Sequence, residues 1–257
     1  MWFELENSKG EPFYILNRYG LTGEWGFTEY DHSNVMFKIY KHDNLYFTDQ
    51  RNFGTIEITD DVKRLNEELE KMGPDFLKES FTEKEFYERI EDYLYGGRGD
   101  DKKMSSARAN RKIIKVLMDQ RAKTGLGSGL GNYLAPESLY RAGISPHTKM
   151  KEIYNDRKLS NKLSKAIKYT VKSSFLTADI GYLEDLDLGM ASFVKKLRKD
   201  AKKKNSKYNF HPDIKLKSNE TFTFKVYQQK EDPSGNPVKK DKIVTGRTTY
   251  WVPKKQN

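Results

Sequence analysis

A run of alternating glycines is the stretch of this sequence best suited to binding chemistry. Residues 125–132 read Gly-Leu-Gly-Ser-Gly-Leu-Gly-Asn, with a glycine at every second position. This spacing does not match the dinucleotide-binding fingerprint, and no Gly-Lys-Ser or Gly-Lys-Thr follows it as in a P-loop. A loop without side chains that opens onto a helix exposes backbone N–H groups, which bind phosphate together with the helix dipole. The run therefore indicates either a phosphate-binding loop or a flexible linker, in which Asn132 caps the next helix or donates its amide to the anion.

The positive charge is concentrated at one end of the chain. The 257 residues carry a net charge of +10, and 33% of them are charged, above the roughly 25% of an average soluble domain. Residues 193–257 hold 18 basic and 6 acidic side chains, a net charge of +12, whereas residues 60–92 hold 6 basic and 12 acidic ones. This charge fits a solvated basic tail or a surface for a polyanion such as nucleic acid. Aromatic residues interleave the basic end, which favours a folded, functional surface.

Few side chains are suited to a metal centre. The chain has no cysteine, which excludes disulfides and thiolate zinc sites. Its four histidines are scattered along the sequence: His32, His42, His147 and His211. We expect neither a metal nor any other cofactor.

The chain shows no targeting or membrane segment. Its first six residues contain acidic side chains and lead into no apolar run, unlike a signal peptide. No apolar stretch approaches the roughly 18 residues of a membrane span. We therefore expect an intracellular protein, nuclear or cytoplasmic (or at the replication site if the protein is viral), with no membrane partner and no secretion.

The pattern predicts strands at both ends of the chain and helices between them. Apolar and polar residues alternate within residues 1–59, for example at Val35, Phe37 and Ile39, as in antiparallel sheets. Five helices are predicted: two short charged ones at 61–71 and 82–95, separated by the Gly73-Pro74 breaker, and three more at 111–118, 132–141 and 159–175. The last has apolar residues at helical spacing. Alternation returns at residues 221–227, and a turn cluster at 232–237 leads to a strand at 242–244, which predicts a C-terminal hairpin.

The residues around the glycine run carry a family resemblance. Residues 117–120, 129–140 and 142–147, with the sequences LMDQ, GLGNYLAPESLY and AGISPH, resemble the helix–two-turn–helix of the Fpg/Nei DNA glycosylases. The match covers about thirty residues, and the loop between Gln120 and Gly127 is a few residues longer than the family norm.

Four shorter segments resemble the same family in the same order. Residues 19–25 resemble its GMTG hairpin, residues 48–54 its DPRRFG segment, and residues 73–77 the Gly-Pro stretch that leads into its helical domain. Residues 246–253 resemble the finger tip of the zincless-finger members, above all the giant-virus Nei proteins.

The resemblance implies an α+β protein with three parts. These are a truncated N-terminal β-sandwich in residues 1–72, a helical domain with the helix–two-turn–helix in residues 73–192, and a basic zincless β-hairpin finger in residues 193–257. In most of the family, four cysteines bind zinc in the finger. Here aromatic packing would hold the same hairpin through Phe222, Phe224, Tyr227, Tyr250 and Trp251.

The resemblance also implies residues for binding damaged double-stranded DNA by a monomer. Family members flip an oxidised base out of the duplex and fill the void with side chains. By motif, the void-filling residues here would be Leu21, Arg51 and Phe53. The phosphates beside the flipped nucleotide would be held by Gly129, Gly131, Asn132 and Arg247, whose contacts set the register on the duplex.

The family's bond-breaking residues have no counterpart in this sequence. The family uses an N-terminal proline amine that attacks C1′, an adjacent glutamate as general acid, and a lysine upstream of a WFEL-like stretch. This chain begins at that stretch, with Met1 followed by Trp2. We therefore expect no catalytic residue in it. Either the catalytic segment is encoded upstream of a misplaced start or an interruption, or the chain binds damaged DNA without cutting it.

Two classes of function remain open at this point. The first is a base-excision-repair glycosylase with AP lyase activity on oxidised bases, here a fragment competent for damaged-DNA binding. The second is a non-catalytic DNA- or RNA-binding protein, because a related helix–two-turn–helix occurs in a small-subunit ribosomal protein and basic aromatic surfaces also suit RNA. Leu21, Arg51 and Phe53 favour the first class.

Overall fold

The protein forms two compact units, Met1–Glu70 and Lys71–Asn257, which we call the N-terminal and C-terminal units. The computed structural model describes residues 2–19, 23–40, 43–96, 103–181 and 190–256.

The N-terminal unit contains two antiparallel sheets of three strands each. The first has the order β1-β2-β6, formed by Trp2–Glu6, Pro12–Arg18 and Thr55–Thr59. The second has the order β3-β5-β4, formed by Glu24–Gly26, Leu45–Thr48 and Ser33–Phe37. The strands predicted within residues 1–59 are confirmed, although β4 ends at Phe37 instead of continuing to Ile39.

Both faces of β2 are covered, which explains its run of buried residues. On one face, Tyr14 and Leu16 cluster with Leu65 of helix α1 (Val62–Glu70). On the other face, Asn17 accepts a hydrogen bond of 3.1 Å from the indole N–H of Trp25 in β3. The side chain of Trp25 therefore links the two sheets.

The C-terminal unit begins with a helical core. Its seven helices in the described residues are α2 (Glu83–Tyr95), α3 (Ser106–Ala109), α4 (Ile113–Leu117), α5 (Leu134–Ala142), α6 (Met150–Asn155), α7 (Arg157–Thr177) and α8 (Met190–Ala201). A capping box at Thr82 starts α2, and Gly96 ends it with a positive φ of 79°. The fully buried side chains of Leu117, Leu139 and Ile167 belong to one hydrophobic core.

The unit ends in an antiparallel hairpin of β7 (Lys239–Val244) and β8 (Arg247–Trp251), joined at Thr245 and Gly246. Gly246 has a φ of 70°, which favours glycine in this tight turn. We call β7 and β8 the finger hairpin. The return strand predicted at residues 242–244 is confirmed as part of β7, but its partner is β8 and not the segment 221–227.

The strand predicted at residues 221–227 is wrong. The backbone N–H groups of Lys225, Val226 and Tyr227 donate instead to the buried carboxylate of Glu137, at 2.9 to 3.0 Å. A carboxylate that accepts several backbone hydrogen bonds curls the chain around it, and this curl prevents the segment from joining a sheet ladder.

The helices and the finger hairpin lie in one unit, and α8 spans the predicted domain boundary at residue 192. The division into domains 1–72, 73–192 and 193–257 stays a prediction. Within the described ranges, no helix combines the length and apolar character needed to cross a membrane.

Candidate nucleic-acid interface

The loop of residues 49–54 in the N-terminal unit, which we call the Asp49 loop, presents two of the predicted void-filling residues. Asp49 is buried, and its carboxylate accepts the backbone N–H groups of Arg51 at 3.3 Å and Gly54 at 2.6 Å. A Cβ on Gly54 would lie 2.8 Å from the ring of Phe47, so this position requires glycine. The result is a tight turn on which Arg51 is exposed and the Phe53 side chain is 65% exposed.

An exposed phenylalanine held on a fixed turn can enter an apolar environment when a partner supplies one. Leu21, the third predicted void-filling residue, lies outside the described residues.

In the C-terminal unit, the glycine loop (residues 125–132) is a packed part of the core, which excludes the flexible-linker interpretation. The backbone N–H of Ser128 donates to Pro74 O at 2.7 Å, and the Ser128 hydroxyl donates to Gly73 O at 2.9 Å. A Cβ on Gly127 would lie 2.7 Å from the Phe76 ring and 2.8 Å from Pro74 O. The Gly-Pro stretch at residue 73 therefore supports the loop directly.

The three predicted phosphate-binding residues of this loop lie where it enters α5. Gly129 is exposed with a φ of 96°, and a Cβ on Gly131 would meet no atom within 4 Å. The internal packing of the protein thus does not require a glycine at 131, but the missing side chain leaves room for close approach to the backbone.

Asn132 does not cap α5, so that alternative is wrong. The N-cap residue of the helix is Tyr133, which makes no side-chain capping bond. The amide oxygen of Asn132 is buried and has no hydrogen-bond partner within the described part of the chain. Among the described residues, this acceptor oxygen is therefore left without a donor.

A basic cavity of about 290 Å³ brings Gly131 together with Arg247, the fourth predicted phosphate-binding residue. Three further basic side chains line this cavity: Arg111, Lys115 and Arg121. Arg247 has no carboxylate within 4.0 Å among the residues described. The cavity suits an anion, because its cations outnumber its one carboxylate, Asp119.

Asp119 organises the wall of this basic cavity. Its carboxylate accepts a bidentate pair from Arg121 at 2.8 and 2.9 Å and a further bond from Arg111 at 3.1 Å. The hydrogen bonds from Arg121 outweigh the effect of burial and lower the pKa of Asp119 to about 2. Sequence reasoning missed Arg111, Lys115, Asp119 and Arg121, because nothing in their spacing connects them with position 247.

An aromatic cavity of about 620 Å³ opens beside Tyr133, the residue that follows Asn132. Phe175, Phe222 and Phe224 also line it. The ring of Tyr133 meets that of Phe224 edge to face at 5.8 Å, and Phe222 meets Phe224 at 5.5 Å. Tyr133 and Phe224 stay 46% and 38% exposed, which leaves π-faces accessible to a planar group.

Comparison with known proteins finds similarity to the formamidopyrimidine-DNA glycosylases. The model of the formamidopyrimidine-DNA glycosylase C-terminal domain matches residues 212–257. The formamidopyrimidine-DNA glycosylase of Prochlorococcus marinus (strain MIT 9301) is 25% identical over 98% of this chain and 73% of its own length. The enzyme of Bacillus licheniformis is 26% identical over 94% of this chain and 74% of its own length.

Solved structures agree with the sequence relatives. MutM in complex with DNA containing carbocyclic 8-oxo-G superposes with a TM-score of 0.59 at 20% identity, covering 99% of this chain and 80% of MutM. Lactococcus lactis Fpg bound non-covalently to DNA containing an AP site gives a TM-score of 0.57 at 20% identity over 96% and 75%. The chain is a distant homologue of the Fpg/MutM glycosylases over nearly its whole length. It has their mixed α+β fold, with N-terminal β-sheets, a helical middle and a C-terminal hairpin.

The Fpg-like finger region of this chain contains no cysteine and is organised by two aspartates. Asp232 is buried and accepts the backbone N–H groups of Ser234 and Asn236, the hydroxyl of Tyr140 and the ammonium of Lys255. These bonds overcome the effect of burial and hold the pKa of Asp232 well below its usual range. The turn cluster is thereby tied to α5.

The second aspartate, Asp241, joins the finger hairpin to the helical core. It bonds the imidazole Nε2 of His147 and the indole N–H of Trp251, each at 2.7 Å, and the hydrogen bond from His147 contributes most to lowering the Asp241 pKa. Trp251 packs on His147, with ring centroids 5.3 Å apart. Of the five aromatics expected to hold the hairpin, the other four form a chain of ring contacts: Phe222, Phe224, Tyr227 and Tyr250.

Two of the described histidines, His147 and His211, take structural positions, whereas His32 is exposed. Besides His147, His211 is buried and its Nε2 lies 2.6 Å from Phe76 O, while His42 falls outside the described residues. Across the described ranges, no three His, Asp or Glu side chains are grouped as metal ligands.

Proposed function

We propose that this chain binds damaged double-stranded DNA as an Fpg-type base-excision protein, holding the backbone at an extruded nucleotide. The observation that carries the proposal is that Gly131 and Arg247, far apart in sequence, line one basic cavity. Homology to the Fpg enzymes supports the reaction class, a DNA glycosylase with AP lyase activity on oxidised bases.

The basic cavity would hold the phosphates that flank the extruded nucleotide. Backbone N–H groups at Gly129 and Gly131, the Nδ2 group of Asn132 and the guanidinium of Arg247 are donors of the kinds that bind phosphate oxygens. The Gly129 N–H donates to Gln120 Oε1 at a long 3.5 Å and would exchange this acceptor for the phosphate. Such contacts are independent of base sequence, as a repair protein that scans DNA requires.

The aromatic cavity would receive the extruded base. Enzymes that flip bases stack them between aromatic or apolar side chains. Tyr133 supports this role because it lines the aromatic cavity and directly follows Asn132 in the chain. The cavity belongs to the same unit as the proposed phosphate donors.

The Asp49 loop would fill the hole left in the duplex. Phe53 would replace the stacking of the missing base, and Arg51 would contact the unpaired opposite base through its planar guanidinium. We propose the same apolar filling role for Leu21. The cysteine-free finger, organised by Asp232 and Asp241, further supports placing the chain in the zincless-finger branch. We also propose that the chain acts as a monomer.

One experiment tests binding and chemistry together. The full chain is incubated with a duplex containing an abasic site, an intact duplex and an RNA duplex, and borohydride is added to part of each sample. We expect tighter binding to the abasic duplex than to the other two, with no covalent adduct. Equal binding to all three would refute the damaged-DNA proposal and favour a general nucleic-acid-binding protein. An adduct would show that an amine of this chain attacks C1′, contrary to our expectation that it holds no catalytic residue.

A further inference from the structure

Residues 121–126 form a basic loop that overlaps the first two residues of the glycine loop. Arg121 lines the basic cavity assigned to the lesion phosphates, but Lys123 and the cavity beside it have no role in the function proposed above. We call it the Arg121 loop. It carries Arg121 and Lys123, and both side chains are exposed. The Arg121 side chain is 69% exposed even though it pairs with Asp119.

The conformation of this loop is well defined. The backbone N–H of Gly125 donates to Arg121 O at 2.9 Å, and Arg111 donates to Thr124 O at 3.4 Å. A Cβ on Gly125 would lie 1.6 Å from Asp119 O, so the chain can turn here only with glycine. The loop is therefore wrapped around Asp119 with its cationic side chains directed outward.

The Arg121 loop lies between two basic cavities. Arg121 lines the basic cavity that contains Gly131 and Arg247. Lys123 lines a second cavity of about 590 Å³, which also contains Arg89 and Arg108 and which we call the Arg89 cavity. One short loop thus borders both cavities.

The Arg89 cavity contains a donor that lacks an acceptor. Nη1 of Arg89 is buried and has no hydrogen-bond partner in the part of the chain that the structure describes. A buried guanidinium nitrogen without an acceptor costs free energy, which an incoming anion would offset once a shift of the Arg89 side chain turned this nitrogen towards the cavity. One carboxylate, Asp92, faces the three cations that line this cavity.

We propose that the Arg121 loop and the two cavities it borders form a continuous track for the DNA backbone, which binds the duplex arm beyond the phosphates at the lesion. The cations of the Arg121 loop and its two cavities form a series. A series of cations suits DNA, which carries a charge about every 1.7 Å of helix axis, better than it suits a single small anion. Asp119 holds Arg121 through Nε and Nη2, which leaves Nη1 of Arg121 for a phosphate. This inference rests on the proposed function and extends it from the lesion to the flanking duplex.

The test compares two duplexes that carry the same central abasic-site analogue. The short duplex ends a few base pairs from the lesion, and the long one extends a full helical turn on each side. The wild-type chain should bind the long duplex more tightly, and the double variant Arg121→Ala/Lys123→Ala should lose most of that preference. If two phosphate contacts are removed, the loss of affinity between 50 and 200 mM salt should be roughly tenfold smaller for the variant than for the wild type.

The matched control is Lys158→Ala/Lys162→Ala, which removes two exposed lysines of α7 that line neither cavity. It should keep the length preference and most of the salt dependence. Circular dichroism melting should confirm that both double variants fold, because all four side chains are exposed.

The outcomes separate this inference from the proposed function. If the wild type does not prefer an abasic duplex over an intact one, the proposed function itself fails. If it does, but the Arg121 loop variant keeps the wild-type length and salt dependence, the track is wrong. Equal loss of affinity by that variant for the short and long duplexes would place the loop at the lesion and would also overturn the track.

Discussion

The two loops assigned to DNA differ in what they present to a partner. The Asp49 loop is held by a buried side chain, the carboxylate of Asp49, and presents the side chains of Arg51 and Phe53. The glycine loop is held by backbone bonds to the 73–76 segment and presents backbone at Gly131. Removing a side chain should therefore impair DNA binding by the Asp49 loop. Adding a methyl group should impair the packing of the glycine loop.

The largest expected effect comes from a methyl group at the buried end of the glycine loop. Gly127→Ala would place a Cβ 2.7 Å from the Phe76 ring and 2.8 Å from Pro74 O, so the core must shift. We expect a loss of about 1–3 kcal/mol in the free energy of unfolding, measured by urea denaturation. Gly131→Ala is the matched control, because its Cβ meets no atom within 4 Å and it should unfold like the wild type. Equal stability of Gly127→Ala and the wild type would show that the loop is not packed as described.

In the Asp49 loop, the change expected to affect DNA binding most is the loss of the Phe53 ring. Phe53→Ala should lower the ratio of abasic-duplex to intact-duplex affinity by roughly tenfold. Stacking of an aromatic side chain on a base contributes a binding free energy of this order. Fluorescence anisotropy with both duplexes measures this ratio. Tyr30→Ala removes another aromatic ring of the same unit with similar exposure, 60% against 65%, and should leave the ratio unchanged. A ratio unaffected by Phe53→Ala would contradict the void-filling role.

The smallest expected effect concerns pH. Because the native pKa of Asp119 is about 2, below that of an unfolded aspartate, its ionised form stabilises the fold above about pH 4. That stabilisation should disappear as the pH falls from 4 to 2. Asp119→Asn should therefore be less stable than the wild type at pH 6, and the difference should shrink towards pH 2 in thermal melts. A difference that is constant over this range would mean that the Arg121–Asp119 pair does not contribute.

Local patterns in the sequence predict much of this fold, because they report on neighbouring residues. Apolar residues at helical spacing located α7, and alternation located the N-terminal strands. The same alternation predicted a strand wrongly at residues 221–227. There the backbone N–H groups donate to the carboxylate of Glu137, almost ninety positions away. Local periodicity carries no information about such a partner.

In the candidate site too, local sequence predicts some residues, and only tertiary contacts reveal the others. The glycine loop could be singled out from its composition, and the resemblance assigned roles to Gly131 and Arg247. The basic residues that complete the cavity with them, such as Arg111 and Arg121, could not be found, because a tertiary contact brings them together. The aromatic cavity likewise combines residues from α7 with residues from the turn after position 221.

A double-mutant cycle on Gly131 and Arg247 tests the central claim most directly. The affinities of the wild type, Gly131→Ala, Arg247→Ala and the double variant for an abasic duplex are measured at one salt concentration. If both residues hold the phosphates of one site, each single variant should weaken binding, and the double variant should lose less than the sum of the two single losses. Strictly additive losses, or single variants that bind like the wild type, would contradict a shared phosphate site.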